Sequence, residues 1–407
     1  MCGICGLSST SYEDRVATVG RMNDALIHRG PNDAGQYDGY QSSIAMRRLS
    51  ILDLTTGHQP IANEDQSLQI VFNGEIYNYR ELREKLIATG RHIFKTTSDT
   101  EVILHLYEEY GQDAPKYLQG MFAFCIYDTK RESLFIARDR FGEKPLFYAK
   151  PTQGTFAFSS ELTSLLEVKG IERKLDIEAL SYFLHVGYVP TPLTLLKSVR
   201  ELPAGHWLTW QQGKLEIGKY YQPNYTPDPA LQREEDAVEA VRATLLKVVK
   251  RQMVSDVPLG AFLSGGIDSS AVVAAMQRQS SQKIKTFTVR FEHAAFDESQ
   301  IAREVANHLG TDHHEFVVTN GGFDEEDLWR TIRHVGQPFL DSSAIPTFIL
   351  SNKVKDHVTV SLSGDGGDEM FPSLYRTSYP TTRRRKTPAA PIPPKPAQPG
   401  NQPPAHT

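Results

Sequence analysis

Apolar residues fall along this chain in two rhythms. In the first half they gather in short runs, such as 68–72 and 122–127, that read as strands set between polar clusters. In the second half strand-like and helix-like runs alternate. Residues 257–263 are too few for a typical helix and suit a buried strand, whereas 270–276 are apolar at helical spacing and rich in alanine. Strands over 286–291, 315–318 and 358–362 then alternate with helices over 298–309 and from Asp324 and Ser343. Such alternation predicts parallel βαβ units in a doubly wound sheet, with a ligand at the carboxyl ends of its strands. Residues 223–232 are polar and carry Pro223, Pro227 and Pro229 ahead of a helix over 234–253, which suits an exposed connection.

A length of 407 residues suits two domains, each with its own core. The net charge of -5 and the lack of a basic stripe with interleaved aromatics set nucleic-acid binding aside. Three cysteines, Cys2, Cys5 and Cys125, make no disulfide framework, and no signal peptide or long apolar span suggests a membrane; the expected compartment is the cytoplasm. Oligomeric state is not legible.

The most informative stretch is Ser264-Gly265-Gly266-Ile267-Asp268-Ser269-Ser270, placed between a strand signal and a helix signal. Two glycines there let the backbone approach a polyanion, and the amide end of the following helix faces it. With no lysine between Leu263 and Met276 this is not a Walker loop. An aspartate in an anion-binding loop needs a bridging cation, so Asp268 reads as a Mg²⁺ ligand on the phosphates of ATP. A serine-rich helix cap with a glycine turn is the competing reading. A second glycine loop, Ser363-Gly364-Asp365-Gly366-Gly367-Asp368-Glu369, follows the last strand; Ser363 and Gly364 read as nucleotide neighbours and Asp368 as sharing Mg²⁺ with Asp268, against the alternative of a calcium-binding turn.

At the other end, the small residue Cys2 invites removal of Met1. A terminal cysteine carries nucleophile and base together, because its own α-amine can take the thiol proton. A C-x-x-C redox or metal pair with Cys5 is the alternative, but neither a preceding strand nor further ligands support it. Polar clusters follow at His28-Arg29-Gly30-Pro31, Arg48-Leu49-Ser50, Asn73-Gly74-Glu75 and Ser98-Asp99-Thr100-Glu101, expected at strand ends and turns. Arg48 can clamp an α-carboxylate, Asp99 can pair with an α-ammonium, and Asn73 with the Gly74 N–H can form an oxyanion hole.

Together these motifs, with Arg138-Asp139-Arg140-Phe141-Gly142 and Lys144-Pro145-Leu146, resemble glutamine-hydrolysing asparagine synthetase over roughly residues 1 to 371. The first half is similar to the class II glutamine amidotransferase domain and the second to the ATP pyrophosphatases. The resemblance implies an α+β αββα sandwich of the N-terminal-nucleophile hydrolases over 2–210, a linker over 211–233 and an incomplete α/β doubly wound parallel-sheet domain over 234–371, while the proline-rich composition of 372–407 predicts a disordered tail outside the family pattern. It implies Cys2 as nucleophile, Asn73 and Gly74 at the oxyanion, and Arg48, Asn73, Gly74, Glu75 and Asp99 around glutamine. For ATP it implies Leu263, Ser264, Gly265, Gly266, Asp268, Ser269, Ser270, Val289, Ser363 and Gly364, with Asp365 at the place of the catalytic carboxylate. Substrates would be glutamine, ATP and aspartate, or another carboxylate as in polysaccharide and secondary-metabolite pathways. Asn32 stands where the family has aspartate after His-Arg-Gly-Pro, which reads as a tolerated change. His313 and His314 read as structural. From Pro372 the family pattern gives way to a basic, proline-rich run, consistent with disorder, an interaction tail or a shifted reading frame; the synthetase half is then expected to lack its usual closure, and a truncated product with glutaminase activity alone is the alternative to a full amidotransferase.

Overall fold

The computed structural model describes residues 1–291, 297–318, 324–341 and 343–370. They form a compact unit over 1–364 and a second unit from Asp365 onward. The tail expected over 372–407 lies outside the described residues.

The first part of the chain runs through β1 (Gly3–Ser8), α1 (Tyr12–Asp24), β2 (Asp33–Asp38), β3 (Ser42–Arg48), β4 (Ile61–Ala62), β5 (Leu68–Ile76), α2 (Tyr79–Ala88) and α3 (Asp99–Tyr110). It continues with β6 (Gly120–Asp128), β7 (Ser133–Arg138), β8 (Phe147–Ala149), β9 (Phe156–Ser159), α4 (Leu162–Leu165), α5 (Ile177–Val186), β10 (Val199–Glu201), β11 (His206–Gln211) and β12 (Lys214–Lys219). The strands make two six-stranded antiparallel sheets, ordered β10-β8-β9-β1-β3-β2 and β12-β11-β7-β6-β5-β4.

The period of two along each strand sorts apolar side chains into layers. Cys5, Leu7 and Ala45 face Val19, Met22 and Leu26 near α1. Ile4, Ile44 and Met46 on the opposite face meet Val71, Ala123, Cys125 and Ile136 of the second sheet. The outer face of that sheet, with Phe72, Phe122 and Phe124, packs on Leu82 and Leu86 of α2 and Val102 and Leu106 of α3. Helix, sheet, sheet, helix is the αββα sandwich the resemblance implied.

Two expectations need correction. The strand read over 68–72 extends to Ile76, because β5 pairs with β6 along its whole length, from Leu68 opposite Asp128 to Ile76 opposite Gly120. Asn73, Gly74 and Glu75 are thus strand residues rather than turn residues. The connection read over 211–233 also begins too early: β12 pairs with β11 from Gln211 opposite Lys214 to His206 opposite Lys219. Gln212 and Gly213, both at positive φ, make the two-residue turn that such a hairpin requires, so residues 214–219 form a sheet edge.

Beyond this hairpin come α6 (Glu234–Gln252), β13 (Leu259–Phe262), α7 (Ile267–Gln279), β14 (Lys285–Phe291), α8 (Ser299–Leu309), β15 (Asp312–Val318), α9 (Glu325–Val335), α10 (Ala344–Val354) and β16 (Val360–Leu362), with α11 (Gly367–Met370) in the second unit. The four strands are parallel and ordered β15-β14-β13-β16. The chain steps outward from β13 to β15 and then returns to the far side of β13. That reversal, between β13 and β16, is where an open parallel sheet leaves a crevice at its carboxyl edge.

Candidate functional site

Cys2, Arg48, Asn73, Gly74, Glu75 and Asp99 line one cleft in the antiparallel sandwich. Each is held by ordinary strand and helix chemistry. Cys2 immediately precedes β1, with its carbonyl accepting from Arg29 Nε at 2.9 Å; Arg29 is itself fixed by an ion pair to Glu161, Nη1 to Oε1, at 2.9 Å. The Cys2 thiol donates to the Leu49 carbonyl at 3.8 Å, and burial pushes its pKa up. Burial also lowers the pKa of the Met1 α-amine beside it to about 6. Cys5 packs in the layer under α1 and Cys2 against the layer between the sheets, so β1 directs them to opposite faces and they do not form a C-x-x-C pair.

Arg48 ends β3 and is buried, with Nη2 donating to the Leu52 and Asp53 carbonyls at 2.8 Å each. That loop is pinned from the parallel-sheet part: the Asp256 carboxylate accepts from Asp53 N at 2.8 Å, and Asp256 N donates to the Ile51 carbonyl at 3.1 Å. Asn32 accepts from Ser50 N through its side-chain oxygen at 3.0 Å, a bond an aspartate would also accept.

Asn73 is wholly buried, and neither its amide nitrogen nor its amide oxygen has a partner among the described residues. A buried amide left in this state is costly without a ligand to complete it. Gly74 next to it admits no side chain, since a Cβ would lie 2.1 Å from the Met121 carbonyl oxygen. Asp99 opens α3 after the N-cap Ser98, and its carboxylate accepts from Ile76 N at 2.8 Å. Burial raises the Asp99 pKa to about 6, and burial together with the Asp99 carboxylate raises that of Glu75.

Lys144 also lines the cleft and was given no role from the sequence. Its position follows from the Arg138–Gly142 turn: Asp139 Oδ2 accepts from Lys144 N at 3.0 Å, Asp139 Oδ1 from Phe141 N and Glu143 N at 3.0 Å, and Arg138 Nε donates to the Lys144 carbonyl at 2.8 Å. The motif was visible; the side chain it aims was not.

The predicted nucleotide residues of the two glycine loops, Leu263 to Ser270 with Ser363 and Gly364, lie at the sheet reversal. Leu263 N donates to the Phe287 carbonyl at 2.9 Å, which extends the strand line to the loop. Gly265 has φ +84°, and a Cβ there would meet Ala302 N at 2.9 Å. Ser264 and Ser269 share a hydroxyl contact of 2.9 Å, Gly266 caps α7, and Ser270 Oγ is buried without a partner. Val289 lies on β14. A Cβ on Gly364 would lie 2.6 Å from Ser269 N, so the turn carrying Ser363 and Gly364 abuts the first turn of α7. The Asp268 carboxylate has no hydrogen-bond or ion-pair partner among the described residues and stands in that same turn. Asp365 and Asp368 belong to the second unit, Asp368 in α11. His313 lies in β15 with Nδ1 at 3.0 Å from Thr286 Oγ1, and His314 stacks on Phe287; the Nε2 atom of each is buried without a hydrogen-bond partner among the described residues.

Comparison with known proteins now bears on both sites. A glutamine amidotransferase domain model matches residues 1–221 and an asparagine synthase model matches 240–404. A Methanocaldococcus jannaschii protein, provisionally named a glutamine-hydrolysing asparagine synthetase, is 39% identical over 91% of this chain and 75% of its own length. The chain belongs to the glutamine-hydrolysing asparagine synthetase family. Asparagine synthetase 1 of Bacillus subtilis, also glutamine-hydrolysing, is 39% identical over 92% of this chain, and the chain spans 60% of that relative's length. Among solved structures, an allosteric regulatory enzyme of purine biosynthesis aligns over 86% of this chain and 91% of its own at 14% identity and a TM-score of 0.44. Family membership gives the cleft and the switch-point loop a common context, in which one family model spans each.

Proposed function

We propose that this chain is a glutamine-dependent amidotransferase of the asparagine-synthetase type, converting glutamine, aspartate, ATP and water to glutamate, asparagine, AMP and pyrophosphate. The observation that carries the reading is the buried, unpartnered Asn73 amide in a cleft that also holds Cys2, Arg48 and Asp99.

Once Met1 is removed, the Cys2 α-amine takes the thiol proton and sulfur adds to the glutamine side-chain carbonyl. The Asn73 Nδ2–H donates to the resulting oxyanion with the Gly74 N–H. The amine then protonates the leaving nitrogen, ammonia departs, and water hydrolyses the thioester to glutamate. Arg48 binds the α-carboxylate and Asp99, ionised, the α-ammonium; Glu75 and Lys144 complete the wall.

In the second half, the Ser264–Ser270 loop and the first turn of α7 hold the ATP phosphates, with Ser363 and Gly364 against them and Val289 beside the nucleotide. Asp268 fits a hard cation, being a carboxylate without a partner among the described residues at the positive end of a helix, and would hold Mg²⁺, which would supply neutralisation of phosphate charge. Asp365 is the acidic residue of the aminating site. The domains divide in the connection between β12 and α6, the second running over 234–371, the compartment is the cytoplasm, and no nucleic acid or membrane takes part. Parallel glutamate and pyrophosphate assays with glutamine, aspartate, ATP and Mg²⁺ test this: both products should appear and depend on one another's substrates. Glutamate without pyrophosphate would reduce the reading to a glutaminase, and neither product would reject it.

A further inference from the structure

Four metal-ligating groups converge outside the glutamine cleft. Glu64 follows β4, His92 lies in the connection after α2, and His105 and Glu108 sit three residues apart on α3; one donor atom of each lies within 4.8 Å of all the others. The atoms are His92 Nδ1, His105 Nδ1, Glu64 Oε1 and Glu108 Oε2. Their separations are 2.7 Å for His105 to Glu108, 3.4 Å for His92 to Glu108, 3.9 Å for His105 to Glu64 and 4.0 Å for His92 to Glu64. Ligands at about 2.0–2.1 Å from a tetrahedral ion stand about 3.3 Å apart, a value these distances bracket.

The surroundings are arranged as metal sites are. Both imidazoles turn the same nitrogen inward, and their outer nitrogens face carboxylates: His92 Nε2 to Glu109 at 2.7 Å, and His105 Nε2 to Glu101 at 3.7 Å. His105 Nε2 has no hydrogen-bond partner among the described residues although the ring is wholly buried. The second oxygen of Glu108 accepts from Asn63 Nδ2 at 2.8 Å, and Glu64 Oε1 accepts from Ile93 N at 2.8 Å. Carboxylates behind ligating histidines fix ring orientation and strengthen the donor, and loss of one costs about 10–100-fold in affinity. The Phe94 ring stands edge-on to His105, with centroids 4.6 Å apart, and shields that side from water. Glu64 and Glu108 keep partial exposure, which leaves a path for an ion.

The geometry points to a divalent transition-metal site of the zinc class, formed by Glu64, His92, His105 and Glu108. Two imidazoles and two carboxylates balance a 2+ charge and suit Zn²⁺ or Co²⁺ over Mg²⁺. Four protein ligands make it a structural site. It would tie the turn before β5 and the connection after α2 to α3, the helix whose first residue is Asp99.

The test uses the full chain, treated with chelator and exchanged, then titrated with ZnCl₂ by calorimetry and with CoCl₂ by visible absorption. One equivalent should bind, with tetrahedral cobalt bands and a higher thermal midpoint. Glu109→Gln should weaken binding about 10-fold, and His92→Ala and Glu108→Gln by more than 100-fold, with the metal-free midpoint of each variant checking that it folds. His92→Gln serves if His92→Ala does not. No binding by the wild-type chain, or equal binding by the folded variants, would overturn the site and leave an ion-pair network held by protons, or a metal bound elsewhere.

Discussion

The cleft in the sandwich and the loop at the sheet reversal, each proposed to take a charged small molecule, are built in opposite ways. In the cleft the recognising groups are side chains buried on regular elements: Asn73 on β5, Arg48 at the end of β3, Asp99 at the start of α3. Their desolvation is met when the protein folds, before any ligand arrives. At the loop the recognising groups are backbone amides and short hydroxyls on glycine-flanked turns, and Ile267 between them is 88% exposed. The same contrast runs through the surroundings. Three apolar layers enclose the cleft's scaffold, whereas α9 leaves Leu328, Trp329, Ile332 and Val335 exposed among the described residues. A buried site tolerates change in its distant neighbours; an edge site depends on what covers it.

That contrast predicts where substitutions will act. The largest effect is expected for Cys2→Ala, which should abolish glutamine hydrolysis while leaving ammonia-driven pyrophosphate release; the active protein should lack Met1 by intact mass, and Met1 retained in a chain that still hydrolyses glutamine would exclude the nucleophile. Next, Asn73→Ala should lower the turnover of glutamine about 10²–10³-fold. Its thermal midpoint should hold or rise, because an unpartnered buried amide is removed. A large loss of stability would make Asn73 a structural residue.

Smaller is the shift expected from Asp268→Asn: Mg-ATP affinity should fall roughly 10-fold by calorimetry with glutaminase unchanged, and no fall would separate this carboxylate from the cation. The pH response distinguishes the two regions further. Burial raises the Asp99 pKa to about 6, above the unfolded value of about 3.9, so the folded state binds the extra proton between those values. Asp99 therefore contributes stability below about pH 4 that is lost as pH rises through 6, and Asp99→Asn should flatten the midpoint over that window. Glutamine KM should rise as pH falls below 6, since a protonated Asp99 no longer pairs with the α-ammonium. A flat profile in both would show that Asp99 stays ionised. Last, brief proteolysis should cut first between Gln222 and Glu234, where the residues are exposed and unpaired to either sheet, and cleavage within α9 instead would relocate the weakest point.

Much of this arrangement was legible in the sequence, for reasons that can be stated. Glycine-flanked serine loops after short apolar runs have few uses, and Cys2 at a removable methionine has a defined chemistry. Asn73 and Asp99 were found because each sits beside residues with strong local signatures. What stayed hidden depends on long-range pairing. The extension of β5 through Glu75 is imposed by β6, fifty residues later, and the placement of 214–219 by a hairpin whose turn needed two positive φ values. Lys144 is aimed by the Asp139 carboxylate, and Asp256 reaches the Arg48 loop across about two hundred residues. His92 and His105 carry no spacing motif; a helix and two separate connections bring their ligand set together.

The separation of cysteines across β1 has a practical consequence. Cys5 and Cys125 are wholly enclosed, and burial raises both of their pKa values, so neither offers a thiolate to a reagent in the folded chain. Cys2 alone borders open space. A glutamine-like electrophile should therefore attach at one position without any engineered background, and the fraction of molecules whose N-terminal peptide gains its mass would count working cleft by cleft how many chains in a preparation are competent.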